Sequence, residues 1–222
     1  MTSASKARKA APTKPKRDAE ASRARILKVA VSEFAAKGYS GARIEQLAKR
    51  AKVNIRMIYH YFGGKENLYI EVLEHALASL RLEETKLDFS ALPPLAGLMQ
   101  MNDYIDSHFG AHPELMNLLS SENLNRARFM KKSALIPVMA SPVIANLQDL
   151  LQRGVADGSV RAGIDPLHLY VALVSHAYFH KSNAYTLSWI FKTDLLTPQW
   201  QAEHKQQNQQ MLLSFLTSGV PA

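Results

Sequence analysis

A chain of 222 residues that is 47% hydrophobic can bury a core as one large or two small domains, and with no cysteine it has neither disulfides nor thiolate chemistry. The formal charge of +8 is unevenly spread: residues 1–65 carry sixteen Lys/Arg against four Asp/Glu, and the remainder eleven against fifteen. A basic N-terminal part is the electrostatic footprint of a polyanion binder, which an acidic remainder would repel. The first residues are basic with no apolar run behind them, and no stretch approaches the ~18 apolar residues of a membrane span. The expectation is a soluble, cytoplasmic protein with no membrane partner.

Residues 1–20 mix Ala, Pro, Lys and Arg without periodicity and read as a disordered basic tail. From Ser22 the apolar positions Ile26, Val29, Ala30 and Phe34 predict a first helix, which Gly38 stops. Ile44, Leu47, Ala48 and Ala51 predict a second. Lys52-Val53-Asn54 breaks the pattern, and Asn54 is suited to cap a third helix in which Ile58 and Phe62 share one face. Helix, tight turn and helix in this order place the second of the pair where it can enter a DNA major groove. Gly63-Gly64 then breaks the chain before a longer helix from Lys65 to about Leu82, the natural connector between two lobes. Further helical patterns recur at about 95–110, 113–129, 141–157, 166–181 and 198–217, with Pro113, Pro142, Pro166 and Pro198 near their starts. There is no alternating strand-like run, so the chain reads as all-α. The boundaries expected are a tail at 1–20, a DNA-binding domain at 21–66 and a helical effector-binding and dimerisation domain at 67–222.

The run RILKVAVSEFAAKGYSGARIEQLAKRAKVNIRMIYHYFGGKENLYIEVLE, residues 25–74, resembles the DNA-binding domain of TetR-type transcriptional regulators. The resemblance lies in Phe34, Gly38-Tyr39, Ile44, Leu47-Ala48, Ala51, Val53, Ile58-Tyr59, Tyr61-Phe62, Lys65-Glu66 and Leu68 in one register. The chain departs where the family often has Ser or Thr (Arg43), Gly (Lys52) and Thr (Met57). Arg43 cannot cap the second helix as a hydroxyl would, and Lys52 must take a turn geometry easier for Gly. The resemblance implies a two-fold dimer on a palindromic operator, with a C-terminal lobe that binds a small effector and thereby moves the DNA heads out of register. The segments HPELMNLLSSENLNRARFM and HAYFHKSNAYTLSWIF also resemble a subgroup controlling nitrogen-heterocycle and aromatic catabolism or efflux, which implies an aromatic or heterocyclic effector.

Chemistry assigns roles at the DNA position by position. Arg56 suits a bidentate contact to guanine, and Ile55 and Met57 suit apolar contact to a thymine methyl. Tyr59, His60 and Lys65 suit phosphates, Lys65 with help from the positive end of the fourth helix. Arg43 and Asn54 complete the expected face. Against this stand packing for Tyr59 and Tyr61 and a solvated charge for Arg56. The basic residues of the tail, Lys6 to Arg17, either track phosphates or merely solubilise.

In the C-terminal part the informative residues are polar groups set among apolar ones: Tyr104, His108, Glu122, Asn123, Arg126, Tyr178 and Asn183. Burying such groups is costly without partners, so a cavity with convergent polar groups is one reading. An i, i+4 pair of Glu122 with Arg126 on a helix surface is the other. His108/His112 and His176/His180 are also i, i+4 pairs, but no Glu-x-x-His accompanies them, so neither metal nor cofactor is expected. Apolar stripes at Leu167, Tyr170, Val171, Val174 and Tyr178, and at Met211, Leu212, Phe215 and Leu216, exceed what one lobe covers and point to a homodimer. Without H-E-x-x-H, G-x-S-x-G or a phosphate loop, no enzyme is expected. A ligand-responsive regulator, a repressor in the sense the resemblance implies, stands beside a ligand-independent architectural DNA-binding protein and an all-α enzyme with an incidental basic tail.

Overall fold

The computed structural model describes residues 14–86, 89 and 91–219. Every regular element among the described residues is helical, and the chain forms two compact units, Met1–Tyr69 and Ile70–Ala222.

In the first unit, α1 (Lys14–Gly41) is bent where Gly38 leaves helical geometry at φ 65, ψ 179. A Cβ would be strained there, so glycine permits the turn toward α2 (Ile44–Ala51). The helix expected from Ser22 therefore starts earlier, within the segment read as tail; Ala and charged residues in KPKRDAEASR favour helix. Residues 1–13, and with them Lys6, Arg8 and Lys9, lie outside the described residues. Next come α3 (Ile55–Phe62) and the start of α4 (Lys65–Lys86), which continues into the second unit. Ile26, Ala30, Phe34, Leu47, Ala51, Ile58, Leu68 and Tyr69 are completely buried and form one core. The Phe34 ring meets Tyr69 edge-on at 4.8 Å. Polar ties lock α2 onto α1. Buried Glu33 takes Arg50 Nη1 at 2.5 Å and Lys37 Nζ at 2.7 Å, while Arg25 Nε donates to the last carbonyl of α2, Ala51 O, at 2.9 Å. The bonds from Lys37 and Arg50 hold the Glu33 carboxyl below its ordinary range, against the upward push of burial.

In the second unit α5 (Pro94–Ala111) packs against α6 (Pro113–Leu124), α7 (Leu135–Ala156), α8 (Pro166–Ser182) and α10 (Pro198–Thr217). Backbones approach closely where α5 meets α7: a Cβ on Gly97 would fall 2.6 Å from Leu150 Cδ2. Arg153 of α7 donates to Leu92 O and Phe89 O, fixing the chain before α5.

In this unit two boundaries differ from expectation and one helix is additional. α6 ends at Leu124 rather than about 129, because Arg126 and Ala127 turn left-handed (φ 56 and 55) and the Glu122 carboxylate accepts from Phe129 N and Met130 N ahead of a 3-10 turn at Met130–Lys132. α7 starts at Leu135, not near Pro142, because Ser133 Oγ accepts from Leu135 N and Ile136 N and caps the first turn; Pro142 then lies inside the helix. An unexpected helix α9 (Ala184–Phe191) follows Asn183. The two apolar stripes also divide: Leu212 and Leu216 are buried in the unit's own core, whereas Leu167, Val171, Met211 and Phe215 are exposed.

Candidate functional site

Local chemistry positions α3. Arg43 stands at the N-cap of α2 in extended geometry and makes no side-chain capping bond. At the other end Lys52 is left-handed (φ 53, ψ 47), and its N–H reaches Ala48 O and Lys49 O, closing the helix. Asn54 is extended, and its side chain accepts from Arg56 N at 2.9 Å, so it caps α3. Gly63 closes the far end with a bond to Tyr59 O.

Burial then sorts the residues of α3. Ile58 and Phe62 face the core. Arg56, Tyr59 and His60 are exposed together with Arg43 and Asn54, whereas Ile55, Met57 and Tyr61 are half-buried. Tyr59 is 52% exposed, too much for a packing residue. The Tyr61 ring stands between His60 at 5.3 Å and Phe62 at 6.4 Å. Lys65 is half-buried, with Nζ 4.7 Å over the Tyr39 ring. The result is a short helix that presents a cation, a phenol and an imidazole to solvent while two apolar side chains anchor it. Lys49 and Lys52, both exposed, flank the turn and were absent from the expected set. The apolar face Ile44, Leu47, Ala48 and Ala51, already visible in the sequence, leaves both pointing outward.

The seven polar residues of the C-terminal part do not converge. Tyr104 donates to Leu80 O at 2.9 Å and meets His108 Nδ1 at 3.1 Å, linking α5 to α4. Glu122 is buried as the acceptor described above, while Asn123 and Arg126 are exposed, and Arg126 lies beyond the helix; the i, i+4 ion pair is not formed. The Tyr178 hydroxyl bonds Ser120 Oγ at 2.7 Å and donates to Met116 O at 3.3 Å. Asn183 sits at the α8–α9 corner and donates to Phe179 O.

A half-open cavity of about 420 Å³ lies instead where α5 ends, α6 begins, and α8 passes into α9. None of the seven lines it. Phe109, Met116, Tyr185 and Leu196 supply apolar wall, and Asn117 and Lys181 supply polar groups. Such a set comes from five segments with no shared periodicity, so no sequence pattern marks it. Nearby, His180 Nε2 meets Gln201 Oε1 at 3.2 Å and its Nδ1 meets His176 O at 2.9 Å. Burial, and then the positive charge of Lys181 and His204, push the His180 imidazole down to about 4. Among the described residues no group of three or more His, Cys, Asp or Glu is arranged to hold a metal ion, and no helix is long and apolar enough to cross a membrane.

Residues 26–72 match the family model described as bacterial regulatory proteins, tetR family, and residues 94–212, more than half of the chain, match the tetracyclin repressor-like C-terminal domain. The chain belongs to the TetR family. Among relatives, the HTH-type transcriptional repressor NicS of Pseudomonas putida is 37% identical over 185 residues, 83% of this chain and 87% of that protein. The HTH-type transcriptional repressor SCO4008 of Streptomyces coelicolor is 33% identical over 169 residues, 72% and 80% of the two chains. A regulatory protein in the tetR family from Rhodococcus RHA1, 15% identical, shares the fold with a TM-score of 0.69 over 88% of this chain and 96% of that one. This TetR-family member is a DNA-binding transcriptional regulator and not an enzyme.

Proposed function

We propose that this TetR-family regulator is a repressor that binds a palindromic operator as a homodimer and is released by a small-molecule effector. The observation that carries the reading is the exposed cationic and aromatic face of α3, with Arg56, Tyr59 and His60 outward and Ile58 and Phe62 inward. Arg56 reads guanine O6 and N7, Ile55 and Met57 read a thymine methyl, and Arg43, Asn54, Tyr59, His60 and Lys65 hold phosphates. The names of NicS and SCO4008 as repressors support the sign of control. Exposed Leu167, Val171 and Phe179 on α8 and Met211 and Phe215 on α10 support a two-fold interface through these helices.

An effector acts by preferring the arrangement that cannot dock, since equal affinity for both states shifts nothing. Two-fold operators require half-sites about one helical turn or a multiple apart, and displacement of α4 by a few ångströms is enough to spoil simultaneous docking. Footprinting on sequences selected from random duplexes tests the reading. The expected result is a symmetric footprint protected by two chains. Protection without sequence preference would favour the ligand-independent architectural protein instead.

A further inference from the structure

α1 reaches well beyond the core it serves. Ile26 is its first fully buried residue among those described, and about 18 Å of helix separates it from the start at Lys14. Asp18, Glu20 and Ala21 are exposed, so the described part of this extension packs against little. A helical end without tertiary contact is marginal in water, and a bound partner would stabilise it.

Two arginines fix where the extension begins. Arg25 Nε donates to Ala51 O at the end of α2, and the Arg23 guanidinium lies 5.0 Å over the Phe62 ring at the end of α3. Exposed Lys52 follows Ala51 directly, and exposed Lys49 stands just before it. Arg50, by contrast, is committed to Glu33 and Ser32. The base of the extension is therefore pinned to the ends of both helices of the DNA-binding pair. The eight residues of α3 span about 12 Å, the width of a major groove. Elements packed at its ends consequently meet the phosphate rims of the groove rather than the bases.

The sign of the charge fits that position. Residues 1–17 hold Lys6, Arg8, Lys9, Lys14, Lys16 and Arg17 and no Asp or Glu. With the acids that follow, Asp18 and Glu20, counted in full, residues 1–25 still hold eight Lys/Arg against two Asp/Glu.

We propose that the N-terminal part of α1, with the basic segment leading into it, is a second DNA-contacting element that holds the phosphate backbone outside the half-site read by α3. The ~18 Å from Ile26 to Lys14 corresponds to about five base pairs, so each head covers that much more duplex. These contacts carry charge but no sequence information. The proposal rests on the DNA-binding reading above and adds to it a contact made by none of the residues of α3.

The test uses the full chain, the triple variant Lys14→Gln/Lys16→Gln/Arg17→Gln, and two duplexes with the same selected operator. One ends at the operator edges and the other carries about ten further base pairs on each side, twice the expected reach. Gln keeps a good helix propensity, and circular dichroism with thermal melting confirms the fold. The parent should bind the longer duplex more tightly and with a steeper salt dependence. The variant should lose most of that difference, its slope of log affinity against log salt falling by about 0.9 for every phosphate contact removed. Its preference for operator over scrambled duplex should be unchanged. Arg56→Ala should do the reverse, losing the preference and keeping the length dependence, so failure of the second contact and failure of recognition by α3 are distinguishable. The slope difference between parent and variant should persist on a long scrambled duplex, which tests the contact even without an operator. Equal slopes for parent and variant, or a parent indifferent to duplex length, would overturn the proposal and leave residues 1–17 as a solubilising segment.

Discussion

Asn54 is where the stability of the recognition helix and its contact with DNA can be separated. α3 has only eight residues, and helices that short are marginal alone, so its cap matters. Asn54→Ala removes the acceptor 2.9 Å from Arg56 N and should cost the DNA-binding unit about 1 kcal/mol. Asn54→Asp keeps an equally good cap and suits the positive end of the helix, so stability should be unchanged or slightly higher. It also places a negative charge on the exposed end of α3. At ~6 Å in water each nearby phosphate costs about 0.7 kcal/mol, so two of them weaken each head about tenfold and a dimer about a hundredfold. Urea denaturation gives the first quantity, and fluorescence anisotropy with operator duplex gives the second. If Asn54→Asp binds operator as tightly as the parent at low salt, the first turn of α3 does not face the polyanion and the reasoning fails.

Three other outcomes follow from particular residues. Lys52→Gly should stabilise the DNA-binding unit by roughly 0.5 kcal/mol, because relief of left-handed strain exceeds the entropy gained by the unfolded chain, whereas Lys52→Val should destabilise it; equal melting temperatures for both would contradict this. His180 is held neutral in the fold at a value of about 4 while its unfolded value is near 6.5. The unfolded chain therefore binds the extra proton between these values, so the contribution is present above about pH 6.5 and is lost as pH falls toward 4, at most about 3 kcal/mol. His180→Gln should flatten the melting profile in that window, and an unchanged slope would refute the assignment. Val171→Glu, on the exposed face of α8, should give a folded monomer by sedimentation and lose operator binding; a persistent dimer would place the interface elsewhere.

The DNA-binding half was legible because local rules decide it. Asn54 is a cap by chemistry, and Ile58 and Phe62 share a face by helical spacing. Lys52 had to be left-handed because the turn between α2 and α3 leaves it no other geometry. The C-terminal half was legible as helices but not as a site. Glu122 stands four residues before Arg126, yet its carboxylate turns to the backbone of Phe129 and Met130 and ends α6 early. Ser133 supplies a cap that moves the start of α7 ahead of Pro142. Such side-chain-to-backbone bonds depend on loop closure and override periodicity. The cavity drew on Phe109, Asn117, Lys181 and Tyr185, residues distant in sequence that only tertiary packing brings together.

The most direct measurement of the central claim is competition between operator and scrambled duplexes for Arg56→Ala across a salt series. A base-edge contact worth roughly 1–3 kcal/mol predicts a specificity ratio that falls about fivefold or more per head while the salt slope stays nearly unchanged. A specificity ratio equal to that of the parent protein, with only a shallower salt slope, would show that Arg56 holds phosphate and that the sequence is read elsewhere.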